Sequence, residues 1–176
     1  DYLKSSILIE LGGRYIIDPN AVHTVTPDIA SLLNNQDLIF PSAKTVVLAP
    51  ERTFWEKATL IHAECSRGTM KANPERLSRH WHDLQLLFQS EIGQSALDNL
   101  DLLNDVIKYK KCFFRSSFAN YDACLTNNFK LIPETSALTE LEKDYRNMRG
   151  MIYGEAPSFE TIIDSLTNLE KTLNNQ

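Results

Sequence analysis

PERTFWEKATLIHAECS, residues 50–66, is the segment from which the rest of the fold can be read. Its apolar residues recur at the spacing of one face of an α-helix, namely Phe54, Ala58, Ile61 and Cys65. Pro50 suits the first turn of a helix, and Gly68 suits a position just beyond its end. The segment therefore predicts an amphipathic helix over Pro50–Ser66, whose apolar face must pack against other elements.

The same helical spacing returns in the residues that follow. A helix is predicted after Pro74, with a core stripe of Leu77, Trp81, Leu84 and Phe88. Further helices are predicted over about residues 101–118, from about residue 136 onward, and over residues 159–173. Residues 49–176 are therefore expected to form a helical domain, a bundle of about five helices.

The residues before this helical part have a different pattern. Short runs rich in Ile, Val and Thr are separated by turn signals such as GG and DPN, and they lie at residues 6–11, 14–17, 22–26 and 44–48. Residues 27–33 are expected to form a helical turn. Residues 1–48 therefore predict a small sheet, and the fold class expected for the whole chain is α+β, mainly α.

Composition limits the class of protein. The 176 residues are 43% hydrophobic and 23% charged, which is typical of a globular chain. A net charge of -5 gives no overall attraction to nucleic acid or anionic lipid, so any such binding must be local. The three cysteines lack C-x-x-C spacing, which favours a cytoplasmic location over a disulfide framework or a zinc ribbon. No apolar run approaches the ~18 residues of a membrane helix, so no membrane partner is expected.

Thr53, Glu56 and Lys57 are the first candidates for a functional site. On a helix they share one side, because they are three and four residues apart, and a lysine so placed can meet a phosphate group. A structural interpretation is also open. T-x-x-E is the capping-box spacing, and Arg52 with Glu56 is an ordinary surface pair at i, i+4.

Arg79 and Asp83 are the second candidates. They lie four residues apart, on a charged flank beside the Trp81 stripe. The alternative is a solvated ion pair that contributes little stability. His80 and His82 point to different sides of a helix, so a shared metal ion is not expected there.

Lys108, Lys111 and Arg115 are a third group, which shares one face of a predicted helix. Tyr109 and Phe113 lie on another face of it. Basic and aromatic residues together can follow a nucleic-acid backbone. The alternative is an aromatic stripe in the core with lysines that reach outward to solvent.

Glu10 is a carboxylate within the apolar strand at residues 7–11. It either faces solvent by the alternation of a strand, or it is held in a site where it binds a cation or accepts a proton. The sequence contains no G-x-G-x-x-G, P-loop or G-x-S-x-G motif. From the residues alone, the function stays open.

Taken in order, several short strings resemble the AbiEii-type nucleotidyltransferase toxins of bacterial type IV toxin–antitoxin and abortive-infection systems. Each string alone is weak evidence for the family. Their order and spacing together are specific for it, and they cover nearly the whole chain. They include IELGGR (residues 9–14), VLAPERTFWEK (47–57), RHWHDL (79–84), Asp144 with Tyr145 and Met148, and MIYGEAPSF (151–159).

This resemblance implies roles for the first two groups. Lys57 would contact the phosphates of an NTP, and Thr53 and Glu56 would shape that pocket. Asp83 would orient Lys57 or assist catalysis, because a nearby carboxylate fixes a lysine and keeps it protonated.

The resemblance also implies roles for the remaining candidates. Arg14 and Arg79 would contact the nucleotide, and Glu10 would be a third carboxylate that acts as a base or lies beside the metal. The face of Lys108, Lys111 and Arg115 would contact RNA.

One motif of that family is missing. A Gly-Ser turn followed by aspartates in D-x-D spacing, which would hold Mg²⁺, occurs nowhere in the 176 residues. The chain also begins at Asp1 without an initiator Met. We therefore expect residues 1–48 to be the last strands of an incomplete catalytic core whose metal-binding half lies upstream. The chain alone is then expected to be inactive and to hold no tightly bound cofactor.

The resemblance thus predicts the C-terminal part of a nucleotidyltransferase toxin. Its parent would bind NTP with Mg²⁺ and transfer a nucleotidyl group to tRNA, and a cognate antitoxin would be its protein partner. The alternative is a non-enzymatic helical module that binds an antitoxin or associates with itself.

Overall fold

The computed structural model of the chain describes residues 9, 16–33, 38–68 and 76–175. They divide into two compact units: the smaller one ends at Ala49, and the larger one contains residue 9 and the residues from Pro50 onward. The described residues are mainly helical with one small sheet, which confirms the predicted class, α+β and mainly α.

The smaller unit contains a two-stranded antiparallel sheet. Its strands are β1 (Asn20–Val25) and β2 (Ala43–Leu48), and the helical turn α1 (Ile29–Leu32) lies between them in sequence. The strands predicted in these two places are confirmed, and the valines of both strands are exposed. The strands predicted at residues 6–11 and 14–17 lie largely outside the described residues. The assignment of this part to a catalytic core stays a prediction.

The larger unit is an assembly of helices. They are α2 (Pro50–Ser66), α3 (Arg79–Gln89), α4 (Glu91–Leu97), α5 (Leu100–Phe113), α6 (Thr135–Met148) and α7 (Phe159–Asn174). Short 3₁₀ turns lie at Tyr121–Leu125 and Arg149–Met151. All five predicted helices are present, and α2 has the predicted bounds. None of the described helices combines the length and the apolar character of a membrane span.

One helix of the larger unit was not predicted, and one predicted helix ends earlier than expected. α4 was not predicted, since a seven-residue helix with Gly93 inside it has a weak helical pattern. Gly93 is needed because a Cβ there would lie 2.5 Å from the backbone oxygen of Phe88. α5 ends at Phe113 rather than near Phe118, because Phe114 leaves the helical conformation. Arg115 therefore lies beyond the helix.

α2 is the central helix of the larger unit, where it contacts α3, α4, α5 and the 3₁₀ turn at Tyr121–Leu125. Its buried residues lie on nearly every side and are Arg52, Phe54, Trp55, Ala58, Thr59, Ile61, His62 and Ala63. His62 shows how a polar group is accommodated there. Its Nδ1 accepts from the Lys130 backbone N–H at 3.0 Å, and its Nε2 donates to the Asn120 carbonyl at 3.2 Å. Burial lowers the pKa of His62, so the ring is neutral and both nitrogens are used.

The segment at residues 129–131 connects α7 to α3 through hydrogen bonds. The Asn174 side chain hydrogen-bonds both backbone groups of Phe129, and Glu170 accepts from the backbone N–H of Leu131. The Leu131 carbonyl in turn accepts from Trp81 Nε1 at 2.9 Å. The large ring of Trp81, which is fully buried, therefore has a fixed orientation on α3.

A carboxylate from α6 fixes the start of α3. Asp144 is buried and accepts from the backbone N–H groups of Arg76 and Ser78 at 2.8 and 2.9 Å, and from the Ser78 hydroxyl at 2.6 Å. The N–H groups at the start of a helix lack partners within it, and negative charge is stabilised there. Asp144 therefore holds the N-terminus of α3 against α6.

Replacing Asp144 with Ala should lower the free energy of unfolding by about 3 kcal/mol or more, because charge-assisted hydrogen bonds are lost and buried donors keep no acceptor. Urea unfolding at pH 7 measures the change. Glu140→Ala, an exposed carboxylate one turn earlier on α6, is the control and should cost less than about 0.5 kcal/mol. Equal stability of the two variants would contradict the proposed cap.

Candidate functional site

Lys57 and Asp83 form the centre of the candidate site. Lys57 Nζ on α2 donates to Asp83 Oδ2 on α3 at 2.7 Å. The two residues are 26 positions apart, so they meet only because α2 packs against α3. The Lys57 side chain is 21% exposed and that of Asp83 is 40% exposed. A ligand in solvent can therefore reach this pair.

Asp83 is ionised at every physiological pH. Its burial would raise its pKa, but hydrogen bonds from His82 and Lys57 and the charge of Lys57 outweigh that effect and lower the pKa from 3.8 to about 2. His82 Nδ1 lies 3.5 Å from Asp83 Oδ1. Within the described ranges, Lys57 and His82 are the ion-pair partners of Asp83. The solvated Arg79–Asp83 pair allowed by the i, i+4 spacing is not formed.

Arg52 and Glu56 form a pair that is not at the surface. Arg52 is fully buried, and its Nε donates to Glu56 Oε1 at 3.1 Å. Its second partner is Asp105 on α5, whose carboxylate accepts a hydrogen bond from Arg52 Nη1 at 2.7 Å. The guanidinium also lies 5.6 Å from the centre of the Tyr109 ring. The interpretation of this pair as an ordinary surface pair is therefore wrong, because α5 covers this side of α2.

The remaining candidates from the first two groups lie near the ion pair. Thr53 is partly buried on α2, one turn before Lys57. Arg79 is exposed at the start of α3, and with Asp83 it borders a cleft of about 440 Å³. The rest of the cleft lining includes Leu86, Met148, Ile152, Tyr153 and Pro157. The volume is in the range of about 300–1,000 Å³ that is typical of sites for small ligands.

Sequence reasoning gave no role to two further groups, His80 on α3 and Lys110 on α5, whose charge acts on His80. Burial, aided by the positive charges of Lys57, Arg79 and Lys110 and opposed by Asp83, lowers the pKa of His80 to about 4, so the ring is neutral at pH 7. Lys110 is buried. A signal for Lys110 was present, because it lies at a position of the apolar stripe of α5, four and seven residues after Val106 and Leu103.

Lys108, Lys111 and Arg115 do not share one helix, because Arg115 lies beyond the end of α5. Lys108 is exposed on α5, while Lys111 Nζ donates to both carboxylate oxygens of Asp122 at 2.7 and 2.9 Å. Arg115 Nε donates to the Lys111 carbonyl at 3.2 Å. Lys111, Arg115 and Tyr121 border a second cleft of about 400 Å³. The three basic residues are near one another but do not form one helical face.

Residues 1–165 match the protein family described as "Nucleotidyl transferase AbiEii toxin, Type IV TA system". The chain belongs to the AbiEii family. The match confirms the resemblance drawn from the short strings, and it spans Glu10 and Arg14. Those two residues lie outside the described residues, so their roles stay predictions. Searches of curated proteins and of solved structures found no match.

Membership of the AbiEii family supports a nucleotidyltransferase toxin at the level of the family. A type IV toxin–antitoxin system also implies a nucleotide substrate and a cognate antitoxin. Both statements concern the family, and the chemistry of this chain has to be argued from its own side chains.

The described part of the AbiEii chain does not fit a Mg²⁺ ion. No three of its His, Cys, Asp and Glu side chains are grouped to hold a metal. The carboxylates of the site are already engaged, Asp83 by Lys57, and Glu56 and Asp105 by Arg52. Mg²⁺ takes oxygen ligands in near-octahedral geometry, and these side chains alone do not form such a cage.

Replacing Lys57 with Met should raise the pKa of Asp83 from about 2 toward or above the ~3.9 of a free Asp, because only His82 would then oppose the effect of burial. A ¹³C NMR titration of the Asp83 carboxyl carbon measures this pKa. Lys143→Met, at an exposed lysine of α6, is the control and should leave the titration unchanged. An unchanged Asp83 titration in Lys57→Met would contradict the ion pair.

The same pair has an acid-sensitive effect on stability. The pKa of Asp83 is lower in the folded protein than in the unfolded chain, so its stabilising effect is present above about pH 4 and is lost as the pH falls from about 4 to about 2. Solvent screening of this partly exposed group reduces the contribution to about 1 kcal/mol or less. Urea unfolding of the wild type and of Lys57→Met should therefore differ more at pH 5 than at pH 2.5.

Proposed function

We propose that the site around Lys57 and Asp83 binds the triphosphate of an NTP and that the protein transfers a nucleotidyl group from it to tRNA. The observation that carries this proposal is the ion pair itself, in which Asp83 holds a partly exposed ammonium at 2.7 Å between two packed helices. Membership of the AbiEii family supports the class of reaction.

Lys57 is suited to the phosphate role for a physical reason. A lysine ammonium is a compact point charge that binds oxygens of a polyphosphate. Asp83 is fully ionised at neutral pH, and its hydrogen bond restricts the position of Nζ before the ligand arrives. Little reorganisation is then needed when the triphosphate binds.

In nucleotidyl transfer, a hydroxyl oxygen of the acceptor forms a bond to the α-phosphorus, the bond from that phosphorus to the bridging oxygen breaks, and pyrophosphate leaves. The charge on the leaving oxygens increases during this step, and Lys57 would stabilise it. Mg²⁺ neutralises part of this charge in such reactions. Among the described residues, no group of three or more His, Cys, Asp or Glu side chains is placed to hold a metal.

The cleft next to Asp83 is suited to the nucleoside part of the NTP. It is bordered by the guanidinium of Arg79 and by apolar and aromatic side chains, which include Leu86, Met148 and Tyr153. Tyr153 is 86% exposed, so its ring is available for stacking on a base. We therefore assign the nucleoside to this cleft and the triphosphate to the Lys57 side of Asp83.

Binding of tRNA must come from a local basic surface, because the chain has a net charge of -5. Lys108 is an exposed basic residue on α5 and Arg115 an exposed one at the second cleft, and both can contact phosphates of an acceptor. Lys111 Nζ lies 2.7 Å from Asp122 Oδ1, so this lysine is less available to contact RNA.

Replacing Lys57 with Met in the complete gene product should reduce transfer of an α-³²P-labelled NTP into tRNA by about 100-fold or more, since a charge that acts in the transition state is removed. Circular dichroism should show an unchanged fold. Lys143→Met is the control for a lost surface lysine. Transfer at the wild-type rate in Lys57→Met would refute the assigned role.

The double change Lys108→Ala and Arg115→Ala should raise the KM for tRNA several-fold and leave NTP binding unchanged. The slope of log affinity for tRNA against log salt should fall by roughly 0.7–0.9 for each phosphate contact that is lost. Lys143→Ala and Lys171→Ala together remove two exposed lysines elsewhere and serve as the matched control. An equal effect of both double variants would show that only the overall charge matters.

A further inference from the structure

Two phenylalanines at the C-terminal end of α5 are open to solvent. Phe113 is 44% exposed and Phe114 is 45% exposed, although phenylalanine is among the residues most often buried. Both rings pack on Tyr109, whose ring centre lies 5.1 Å from that of Phe113 and 5.7 Å from that of Phe114. These distances are typical of favourable aromatic pairs. Because Tyr109 is buried, it holds the two rings in place while much of each ring stays accessible.

Basic residues are concentrated at the same end of α5. Lys110 Nζ lies 5.1 Å from the centre of the Phe114 ring. Lys108 and Lys111 are exposed on the helix, and Arg115, also exposed, directly follows Phe114. Aromatic side chains are enriched in protein–protein interfaces, but lysine is depleted there. Exposed rings among several cations are therefore better suited to a nucleic acid, which offers both flat bases and phosphates.

The second cleft adjoins the two rings. Tyr121, which borders the cleft, donates from its hydroxyl to the Phe114 carbonyl at 3.5 Å. Arg115 borders it too, and its Nε donates to the Lys111 carbonyl at 3.2 Å. Arginine, hydroxyl and amide groups are the usual donors to the phosphates of nucleic acids. Further lining residues that carry hydroxyl or amide groups are Ser116, Ser117 and Asn120.

The cleft is held in shape by contacts of its own lining. Lys111 Nζ donates to both carboxylate oxygens of Asp122 at 2.7 and 2.9 Å, which connects α5 to the 3₁₀ turn. The Asn120 carbonyl accepts from Nε2 of the buried His62 at 3.2 Å. Asp122 is paired with Lys111, so the charge of Arg115 leaves the lining positive. A surface that is ordered before binding loses little entropy when a ligand arrives.

We propose that the end of α5 and the second cleft bind unpaired RNA, with bases stacked on Phe113 and Phe114 and a phosphate held by Arg115. This inference rests on the RNA acceptor of the proposed function, and it adds which part of the acceptor is bound. Bases inside a duplex are stacked on one another, so only an unpaired strand can place its bases on side chains. Every base has a flat face, so this surface tolerates many sequences.

The probe is a fluorescein-labelled RNA strand of about 12 nucleotides without internal pairing, within the usual size of such sites. Its binding to the 176-residue chain is followed by fluorescence anisotropy, and the same strand annealed to its complement is the paired probe. Phe113→Leu and Phe114→Leu keep an apolar side chain and remove the ring. Arg115→Gln removes the charge. Leu100→Ala, which truncates a 45% exposed apolar residue at the other end of α5, is the control.

Each phenylalanine variant should weaken binding of the strand by about fivefold or more, the loss expected for one stacked base. The slope of log affinity against log salt should not change in these variants, because the ring has no charge. In Arg115→Gln the slope should fall by about 0.7, the value for one phosphate contact with a single strand. Leu100→Ala should bind like the wild type, and the duplex should bind more weakly than the strand.

Wild-type affinity in both phenylalanine variants, or equal binding of strand and duplex, would overturn the inference. Binding of tRNA is measured in parallel. If tRNA binds and the strand does not, the inference fails and the proposed acceptor stands, whereas binding of neither would overturn both. Self-association that Phe113→Leu abolishes, without RNA binding, would assign the rings to a second copy of the chain and also overturn the inference.

A further variant covers the case in which loss of a ring disturbs the fold. Phe113→Trp keeps an aromatic ring at this position, so it should bind the strand at least as tightly as the wild type. Trp55 and Trp81 are both fully buried, so quenching of fluorescence when the strand is added reports stacking on the introduced indole. A strand that binds by anisotropy without quenching this fluorescence would overturn the proposal.

Discussion

The burial of α2 on nearly every side is the constraint on which the rest of the structure depends. Charged side chains on the packed sides of such a helix need counter-charges, because removal from water is costly. Arg52 obtains one from Asp105 on α5, and Lys57 obtains one from Asp83 on α3. The ion pairs that allow α2 to be central therefore also hold α5 and α3 in place around it.

The two ion pairs that join α2 to other helices differ in exposure, and this difference separates a structural pair from the pair of the candidate site. The Arg52 side chain is 0% exposed and that of Lys57 is 21% exposed. The Arg52 side chain is closed to solvent, whereas the Lys57 side chain is open to solvent on one side. Two cations five residues apart on one helix thus act differently, because α5 covers the first, while the second lies beside α3 and its partly exposed Asp83.

The position of Asp83 depends on contacts far from it. Asp144 holds the start of α3, and the hydrogen bond from Trp81 to Leu131 fixes the rotation of that helix about its axis. A small rotation of α3 would move the Asp83 carboxylate away from Lys57 and expose Trp81. Residues outside the site therefore preorganise it, and the AbiEii chain uses its core to set the geometry of a charged pair.

The sequence was sufficient to predict the helices and strands and to single out many of the residues of the candidate site. The 3.6-residue period over Pro50–Ser66 required a helix with those bounds, and Lys57 and Asp83 could be singled out from their strings. Their pairing was not readable from helical spacing, which suggested Arg79 as the partner of Asp83. A period states which residues share a face of one helix, but it carries no information about which helix will cover that face.

Packing decided the rest of the site. Arg52 had the spacing of a surface pair and became a core residue because α5 lies over it. Lys110 had the spacing of a core residue and is buried, and this burial lowers the pKa of its ammonium. Burial and the distances between charges are properties of the assembled helices, since they depend on residues far apart in the chain. The sequence determined the helices and the chemical groups they carry, and the tertiary structure alone decided which of those groups meet.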